Sequence, residues 1–196
     1  MNYTITITRQ FGSLGRPIAK KLAEILEIEY YDRDIVEETS KNLGIPVSVI
    51  SNQEEVKNSF FNMIYPLGTE TLEQQDLIFE EQAKIIRGFA ERKSCIIVGR
   101  CSDYILRNNK NCMNVYIYAP YEARRRNCID YLRMDNEMAS RMIQKVDKAR
   151  DKYHKNYAGY LPNDYEHKEV MVDSSVFGIE GTAKVLAATA RERFQI

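Results

Sequence analysis

Hydrophobic and polar side chains alternate over residues 3–8, whose sequence Y-T-I-T-I-T is rich in β-branched residues and leads into a glycine-containing turn. This pattern predicts a β-strand. Apolar residues recur at helical spacing over 16–26, where Pro17 is compatible with the first turn of a helix. The same criteria predict a short second strand at 28–31 and a second helix at 35–43. The chain therefore opens as a βαβα unit.

The rest of the chain continues this alternation of helices and strands. Residues 47–92 contain no strand pattern, and 70–90 have the polar and apolar spacing of a surface helix, which indicates a helical insertion. The continuous apolar run S-C-I-I-V-G at 94–99 is typical of a strand buried on both faces of a parallel sheet. Two more strands are expected at 114–119 and 169–172. We therefore predict an α/β fold, whose ligands bind at the carboxyl ends of the strands.

Length and composition favour one domain without an extended charged surface. The chain has 196 residues, 44% of them hydrophobic, and its 28 basic residues balance 28 acidic ones. We therefore expect neither nucleic acid nor an anionic membrane as a partner. The four cysteines form no C-x-x-C pair, and there is no signal-peptide pattern or bilayer-length apolar run. These features favour reduced thiols and a cytoplasmic protein.

The segment R-Q-F-G-S-L-G-R at 9–16, between the first strand and the first helix, has features of a phosphate-binding loop. Such loops use glycines to direct backbone N–H groups at phosphate oxygens, and a lysine after the last glycine to reach the β and γ phosphates. Gly15-Arg16 occupies the Gly-Lys position here. However, Gln10 stands where the first glycine is expected, and Pro17 stands where Ser or Thr would bind magnesium. The segment predicts either a phosphate-binding loop or an ordinary βα turn.

Two carboxylates, Asp32 and Asp34, directly follow the second strand. At the carboxyl end of a strand, such a pair can bind hydrated Mg²⁺ or accept a hydrogen bond from a substrate hydroxyl. Aspartate is also a frequent N-cap, and the next helix begins at about Ile35. We expect one of the two carboxylates to cap this helix, which leaves the other for metal or substrate.

Basic residues are concentrated after the fourth predicted strand, in Arg124-Arg125-Arg126 and in a series that ends at Arg150. On helices beside the cleft they would form a lid that neutralises a phosphoryl group in transfer. Acidic residues are interleaved with them, so a solvated pair of charged helices is the alternative. Arg100, just after the third strand, is placed to bind an anion at the edge of the sheet.

Taken in order, these motifs resemble the cytidylate kinase-like family and, more distantly, the nucleoside-monophosphate kinases. The resemblance runs from about residue 5 to 186. It implies a three-layer P-loop kinase fold in a single domain over 1–196, with a five-stranded parallel sheet. It also implies a helical acceptor-binding insertion at 45–92, a short lid at 120–160, ATP as donor and Mg²⁺ as cofactor. The motifs that carry it are I-T-R-Q-F-G-S-L-G-R, Y-Y-D, I-I-V-G-R, Y-I-Y-A-P-Y-E-A-R-R-R, D-K-A-R and V-M-V-D-S-S-V-F-G-I-E.

The resemblance also implies a role for individual residues. Arg16 takes the role of the P-loop lysine, at the end of a phosphate-binding loop formed by Gln10, Phe11, Gly12, Ser13, Leu14 and Gly15. The lid arginines expected to contact the transferred phosphate are Arg125, Arg126 and Arg150. The acceptor is expected to be bound by Asp32, Asp34, Arg100 and Asp147, and the magnesium ion by Asp32 and Asp34.

On this resemblance we expect an enzyme that transfers a phosphoryl group from ATP to a nucleoside monophosphate. The chain departs from cytidylate kinases after the third strand, where their Asp-Gly-Arg-Asp is matched by Val98-Gly99-Arg100-Cys101. The missing carboxylates, together with Arg16 and Pro17, favour an alternative in which the chain is a regulatory protein that binds nucleotide without catalysis.

A third hypothesis is a kinase of a small metabolite. The Asp32-x-Asp34 pair, with Glu37 and Glu38, also resembles the acceptor-side segment of shikimate kinase-like enzymes. The number of arginines expected at the site instead favours an acceptor that itself carries a phosphate, because an uncompensated charge in a water-poor site is costly.

Overall fold

The structure is a computed structural model that describes residues 2–47 and 72–196. Its strands are β1 (Thr4–Arg9), β2 (Glu29–Tyr31), β3 (Cys95–Val98), β4 (Cys112–Tyr118) and β5 (Val170–Asp173). They pair in parallel in the order β2-β3-β1-β4-β5. The predicted α/β fold with a five-stranded parallel sheet is thus confirmed.

Helices cover both faces of this sheet. They are α1 (Gly15–Leu26), α2 (Arg33–Leu43), α3 (Leu72–Arg92), α4 (Ser102–Ile105), α5 (Tyr121–Leu132), α6 (Asn136–Ala158) and α7 (Ser174–Phe194). The predicted strands and helices occur within about two residues of their expected bounds. Helix α4 was not predicted, because four residues are too few to show a hydrophobic period.

The hydrophobic pattern of each strand decides which helices it packs against. Successive side chains of β1 point to opposite faces of the sheet, so Ile5 and Ile7 are buried against α1 and α7. In β3 both faces are buried, as the apolar run predicts: Ile96 and Val98 join the same cluster, and Cys95 and Ile97 pack against α3 and α4. The core therefore lies on both sides of the sheet and leaves the carboxyl ends of the strands for the site.

The predicted insertion and lid are described to different extents. Of the insertion expected at 45–92, residues 48–71 lie outside the described residues, so its role in acceptor binding stays a prediction. The lid region at 120–160 forms helices α5 and α6, which enclose a cluster around Phe11. The four cysteines are free and buried. Among the helices of the described ranges, none is long and apolar enough to cross a bilayer.

Candidate phosphate-binding site

The loop between β1 and α1 is held in place through its carbonyl oxygens. Four consecutive carbonyls, those of Gln10, Phe11, Gly12 and Ser13, accept hydrogen bonds, in that order, from Ser13 Oγ (2.9 Å), Arg124 (3.2 Å), Asn127 (2.8 Å) and Ser174 Oγ (2.7 Å). The N–H groups of Gly12, Leu14 and Gly15 donate no hydrogen bond to the described residues. Because its carbonyls are occupied, the loop presents N–H groups to an incoming anion, as a phosphate-binding loop does.

The first turn of α1 extends this anion-binding surface. Helix α1 begins at Gly15, and Leu14, its N-cap, makes no capping hydrogen bond through its side chain. The N-terminus of a helix carries partial positive charge and favours a phosphate. Gly12 allows the turn to form at a positive φ of 78°, and a Cβ there would lie 2.7 Å from the carbonyl oxygen of Arg124. This geometry favours the phosphate-binding interpretation over an ordinary βα turn.

Helix α6 fixes the loop from the lid side. Asp147 Oδ1 accepts a hydrogen bond from the N–H of Phe11 (2.8 Å), and Asp147 Oδ2 accepts one from Arg124 (2.5 Å). Arg150 donates to the carbonyl oxygen of Arg9 (3.0 Å). The resemblance implied that Asp147 binds the acceptor, whereas the structure places it on the backbone of the loop between β1 and α1.

We expect Asp147→Ala to lower the free energy of unfolding by about 1–3 kcal/mol, because it leaves the Phe11 N–H without its acceptor and removes the carboxylate paired with the largely buried Arg124. The loop then loses an anchor, so we expect its affinity for ATP, the expected ligand, to fall as well. Denaturant unfolding and calorimetry measure the two effects, with the exposed Asp130→Ala on α5 as control. Unchanged ATP affinity in Asp147→Ala would show that the loop keeps its shape without α6.

The three lid arginines named by the resemblance have different surroundings. Arg150 lies at the loop, as described above. Arg125 is bonded to Glu122 and Asn136 on the surface, and Arg126 is exposed. The structure does not bring Arg125 or Arg126 into the cavities beside the loop. On α5 it is Arg124 that reaches the loop.

Three arginines face the carboxylate of Asp32 at the end of β2. Asp32 is 3% exposed, and its oxygens lie 2.6 Å from Arg16 Nε and 3.9 Å from Arg9 Nη2. Burial by itself raises the pKa of Asp32, but the charges of Arg16, Arg9 and Arg100 outweigh it and hold that pKa below its usual value. Arg9 Nε and Arg100 Nη1 are buried without a hydrogen-bond partner in the described part of the chain. Three guanidinium groups around one carboxylate leave this cluster positive.

The two carboxylates expected to bind Mg²⁺ are therefore in different environments. Asp32 is surrounded by arginines, whereas Asp34 is exposed in the first turn of α2. A cation at Asp32 would be repelled by three positive charges, so the expected metal site does not fit these residues. Residues 2–47 and 72–196 also contain no cluster of three potential metal ligands. Asp32 is the N-cap of α2, but its side chain makes no capping hydrogen bond, so the capping alternative is not seen either.

Arg100 is presented by an unusual turn between β3 and α4. Gly99, Arg100 and Cys101 have φ angles of 77°, 60° and 52°, a left-handed conformation that is costly for the two residues with side chains. The turn is held on both sides. The N–H of Gly99 donates to the carbonyl oxygen of Ile7 in β1 (3.0 Å), and the N–H of Ile105 donates to the carbonyl oxygen of Cys101 (2.9 Å). Strained residues of this kind are concentrated at functional sites.

A buried polar cluster next to this turn joins α4 to the end of α6 and the segment before β5. At its centre Asp103, which is 1% exposed, accepts hydrogen bonds from Lys168, His154 (3.1 Å) and Tyr160 (3.3 Å). We call Asp103, His154, Tyr160 and Lys168 the Asp103 cluster. Because α6 also carries Asp147 and Arg150, the same helix supports both the loop between β1 and α1 and the turn of Arg100.

In the described part of the chain, cavities of two sizes adjoin the loop. The larger, of about 250 Å³, is lined by the loop, by Arg16 and Pro17 of α1, and by Asn127, Tyr131 and Leu132 of α5. The smaller, of about 170 Å³, is lined in part by Asp147 and Asp151 of α6. Arg9, Gln10 and Arg150 border both cavities.

Several residues of the site were not predicted from the sequence. Arg9, Arg124, Asn127 and Ser174 contact the loop or Asp32 from three different elements, β1, α5 and α7. A basic residue at the last position of β1 was the one local signal, because it places a cation at the carboxyl end of a strand. The others depend on which elements meet in space.

Comparison with known proteins gives a family match over most of the chain. The model of the cytidylate kinase-like family matches residues 4–176. No curated protein matches the chain. Among solved structures, an uncharacterized protein from Eubacterium ventriosum has a TM-score of 0.70 at 23% identity, with 96% of this chain and 98% of that chain covered.

Two kinases share the fold more distantly. Shikimate kinase from Acinetobacter baumannii, in complex with shikimate, has a TM-score of 0.54 at 15% identity, with 100% of this chain and 94% of that chain covered. A gluconokinase from Sinorhizobium meliloti has a TM-score of 0.55 at 12% identity, with 99% and 96% covered. At these identities the similarity shows the fold alone.

Proposed function

Because the chain belongs to the cytidylate kinase-like family, we propose that it transfers the terminal phosphoryl group of ATP to a small phosphorylated acceptor, a nucleoside monophosphate. One observation carries the proposal: the N–H groups of the phosphate-binding loop and a positive cluster of arginines lie at the same edge of the sheet. The loop is suited to bind a polyanion on one side of Asp32, and the arginine cluster is suited to bind a second anion on the other side.

The donor side is formed by the loop, α1 and α5. The loop of residues 10–15 binds the phosphates of ATP through backbone N–H groups, and Arg16 spans two phosphate oxygens in place of a lysine. The nucleoside occupies the cavity of about 250 Å³, whose outer wall includes Tyr131 and Leu132. This arrangement holds the donor by its charge and leaves its terminal phosphate toward Asp32.

The acceptor side is formed by the arginine cluster. Arg100 Nη1 is buried without a hydrogen-bond partner in the described residues, and burial first of all lowers the pKa of Arg100. A guanidinium held in this way is stabilised when an anion binds it. The excess of arginine over carboxylate supports an acceptor that carries a phosphate rather than a neutral one.

The protein residues act on the reaction through position and charge. Arg16 and Arg100 hold donor and acceptor against each other, and α5 and α6 exclude water, which protects ATP from hydrolysis. Asp32 orients the arginines by its ion pairs. Mg²⁺ would enter with the phosphates of ATP, because it keeps several waters and is often bound through substrate phosphates. Asp32 and Asp34 do not fit a metal site, so the roles above belong to the arginines and the loop.

A hydroxy acid is the second candidate for the acceptor. Shikimate kinase and gluconokinase share this fold, and their names identify acceptors of that class. A single carboxylate would bind Arg100 but would compensate less of the positive charge around Asp32. We therefore rank it below a nucleoside monophosphate.

The proposal is tested by measuring ADP release from ATP with a panel of nucleoside monophosphates and small hydroxy acids. We expect a nucleoside monophosphate to stimulate ADP release, with a base preference that need not be cytosine. If a hydroxy acid alone stimulates it, the second candidate replaces the first. If ATP binds and nothing in the panel turns over, the chain is a nucleotide-binding regulatory protein.

For the acceptor that works, we expect Arg100→Ala to raise its KM by about 10-fold or more, because a charge-assisted hydrogen bond to phosphate is lost. The KM for ATP should change less. Arg107→Ala is the control, since Arg107 is an exposed cation just beyond α4. A rise in the KM for ATP alone would place Arg100 on the donor side.

A further inference from the structure

The side chain of Arg9 lies in a channel formed by two glycines. It runs from the end of β1 past Gly15, where an added Cβ would lie 2.8 Å from both Cβ and Cγ of Arg9. It ends against Gly99, where an added Cβ would lie 2.2 Å from Arg9 Nη1. The side chain is 11% exposed. Any other residue at either glycine position would displace the arginine, so this backbone is shaped around it.

This buried guanidinium has little compensation for its charge. Its one ion pair, to Asp32 Oδ1, is long at 3.9 Å, and its Nε is buried without a hydrogen-bond partner among residues 2–47 and 72–196. Burial lowers the pKa of Arg9, and the neighbouring cations Arg150 and Arg16 lower it further, although Asp32 opposes them. A buried cation in such surroundings is stabilised by a bound anion.

The position of the guanidinium indicates which anion this is. Gly99 follows β3 and Asp32 follows β2, so the tip of Arg9 lies toward these strands. Helix α5 follows β4, on the opposite side of β1, and its residues line the cavity proposed for the nucleoside. A nucleotide with its nucleoside near α5 and its inner phosphates on the loop directs its last phosphate toward Arg9.

We propose that Arg9 is a catalytic residue that binds the terminal phosphate of ATP during transfer; this inference rests on the proposed function. An oxygen of the acceptor phosphate forms a bond to the γ-phosphorus, the bond from this phosphorus to the bridging oxygen breaks, and ADP leaves with the electron pair. Arg9 exchanges no proton. It stabilises the charge on the equatorial oxygens of the group in transfer.

The test compares two nucleotides that differ in their terminal phosphate, ADP and the non-hydrolysable ATP analogue AMP-PNP. Calorimetry measures the binding of both to the wild type and to Arg9→Met, which keeps much of the length of the side chain and removes its charge. We expect binding of AMP-PNP to weaken by about 10-fold or more and that of ADP by less than about twofold. Equal weakening of both, or no weakening, would overturn the inference.

A glycine pair keeps the test decisive if Arg9→Met does not fold. Gly99→Ala forces Nη1 away from its place without removing the charge, whereas Gly44→Ala, at a φ of 65°, meets no atom within 4 Å and imposes only backbone strain. We expect Gly99→Ala to lose the preference for AMP-PNP over ADP, and Gly44→Ala to keep this preference. If both keep it, the inference is wrong. If the wild type binds neither nucleotide, the proposed function fails first, and the inference fails with it.

Discussion

Asp103→Asn is expected to lower the free energy of unfolding by about 3–5 kcal/mol, because it removes one partner of a buried ion pair. The side chain of Lys168 is fully buried beside Asp103. Asparagine can still accept hydrogen bonds from Tyr160 and His154, but it cannot balance the charge of the lysine. Denaturant unfolding at neutral pH measures the loss.

An exposed ion pair provides the control for this substitution. Lys93 and Glu29 are 2.6 Å apart, but their side chains are 55% and 47% exposed. Glu29→Gln should therefore cost less than about 1 kcal/mol. In Asp103→Asn/Lys168→Met both charges are absent, so part of the stability should return. If the double variant is no more stable than Asp103→Asn, the loss does not come from the stranded lysine.

The contribution of Asp103 also depends on pH in a defined direction. Burial raises the pKa of Asp103, but His154 and Lys168 outweigh it and hold the pKa well below the usual range. A carboxyl with a lowered pKa in the folded state stabilises the protein above its unfolded pKa of about 4, and this stabilisation is lost as the pH falls below that value. We expect the wild type to lose stability over this acid range more steeply than Asp103→Asn.

The other large effect is expected at the donor loop, where Arg16→Ala should weaken ATP binding by about 10–100-fold. The range corresponds to the loss of a charge-assisted hydrogen bond to phosphate. Calorimetry measures the affinity. Arg16→Lys keeps the charge but loses the fork that spans two oxygens, so its loss should be intermediate.

Two controls separate this effect from a loss of structure. Lys20→Ala removes an exposed cation from the same helix and should leave ATP affinity unchanged. The stability of Arg16→Ala should change little, because Asp32 keeps Arg9 and Arg100 nearby. If Arg16→Ala binds ATP as the wild type does, the segment is an ordinary βα turn and the donor site must be sought elsewhere.

Helix α6 connects these two regions of the protein. Asp147 and Arg150 near its middle hold the loop between β1 and α1, and His154, one turn further on, belongs to the Asp103 cluster beside the turn of Arg100. A shift of α6 would therefore move the supports of the proposed donor and acceptor residues together. This arrangement explains why residues outside the reacting groups are expected to affect binding.

Local pattern was sufficient to predict the framework of the protein. Alternation in β1, the apolar run of β3 and helical spacing in α1 are properties of consecutive residues, so periodicity determines them. The order of the motifs likewise led to the cytidylate kinase-like family, which the family match confirms. The positions of the loop and of Arg100 at the carboxyl ends of β1 and β3 also follow from the sequence, because each directly follows its strand.

The tertiary structure alone decided which side chains meet. Arg124, Arg125 and Arg126 are equivalent in sequence, but successive residues of a helix point about 100° apart, and only the first faces the loop. Asp103 meets Lys168 across 65 positions, and the sequence contains no periodic signal for that pair. Asp32 was expected at a metal because no local pattern shows that Arg9, Arg16 and Arg100 converge on it. The chemistry of this site depends on charged residues that are distant in the sequence. The order of the strands and the orientation of the helices bring them together.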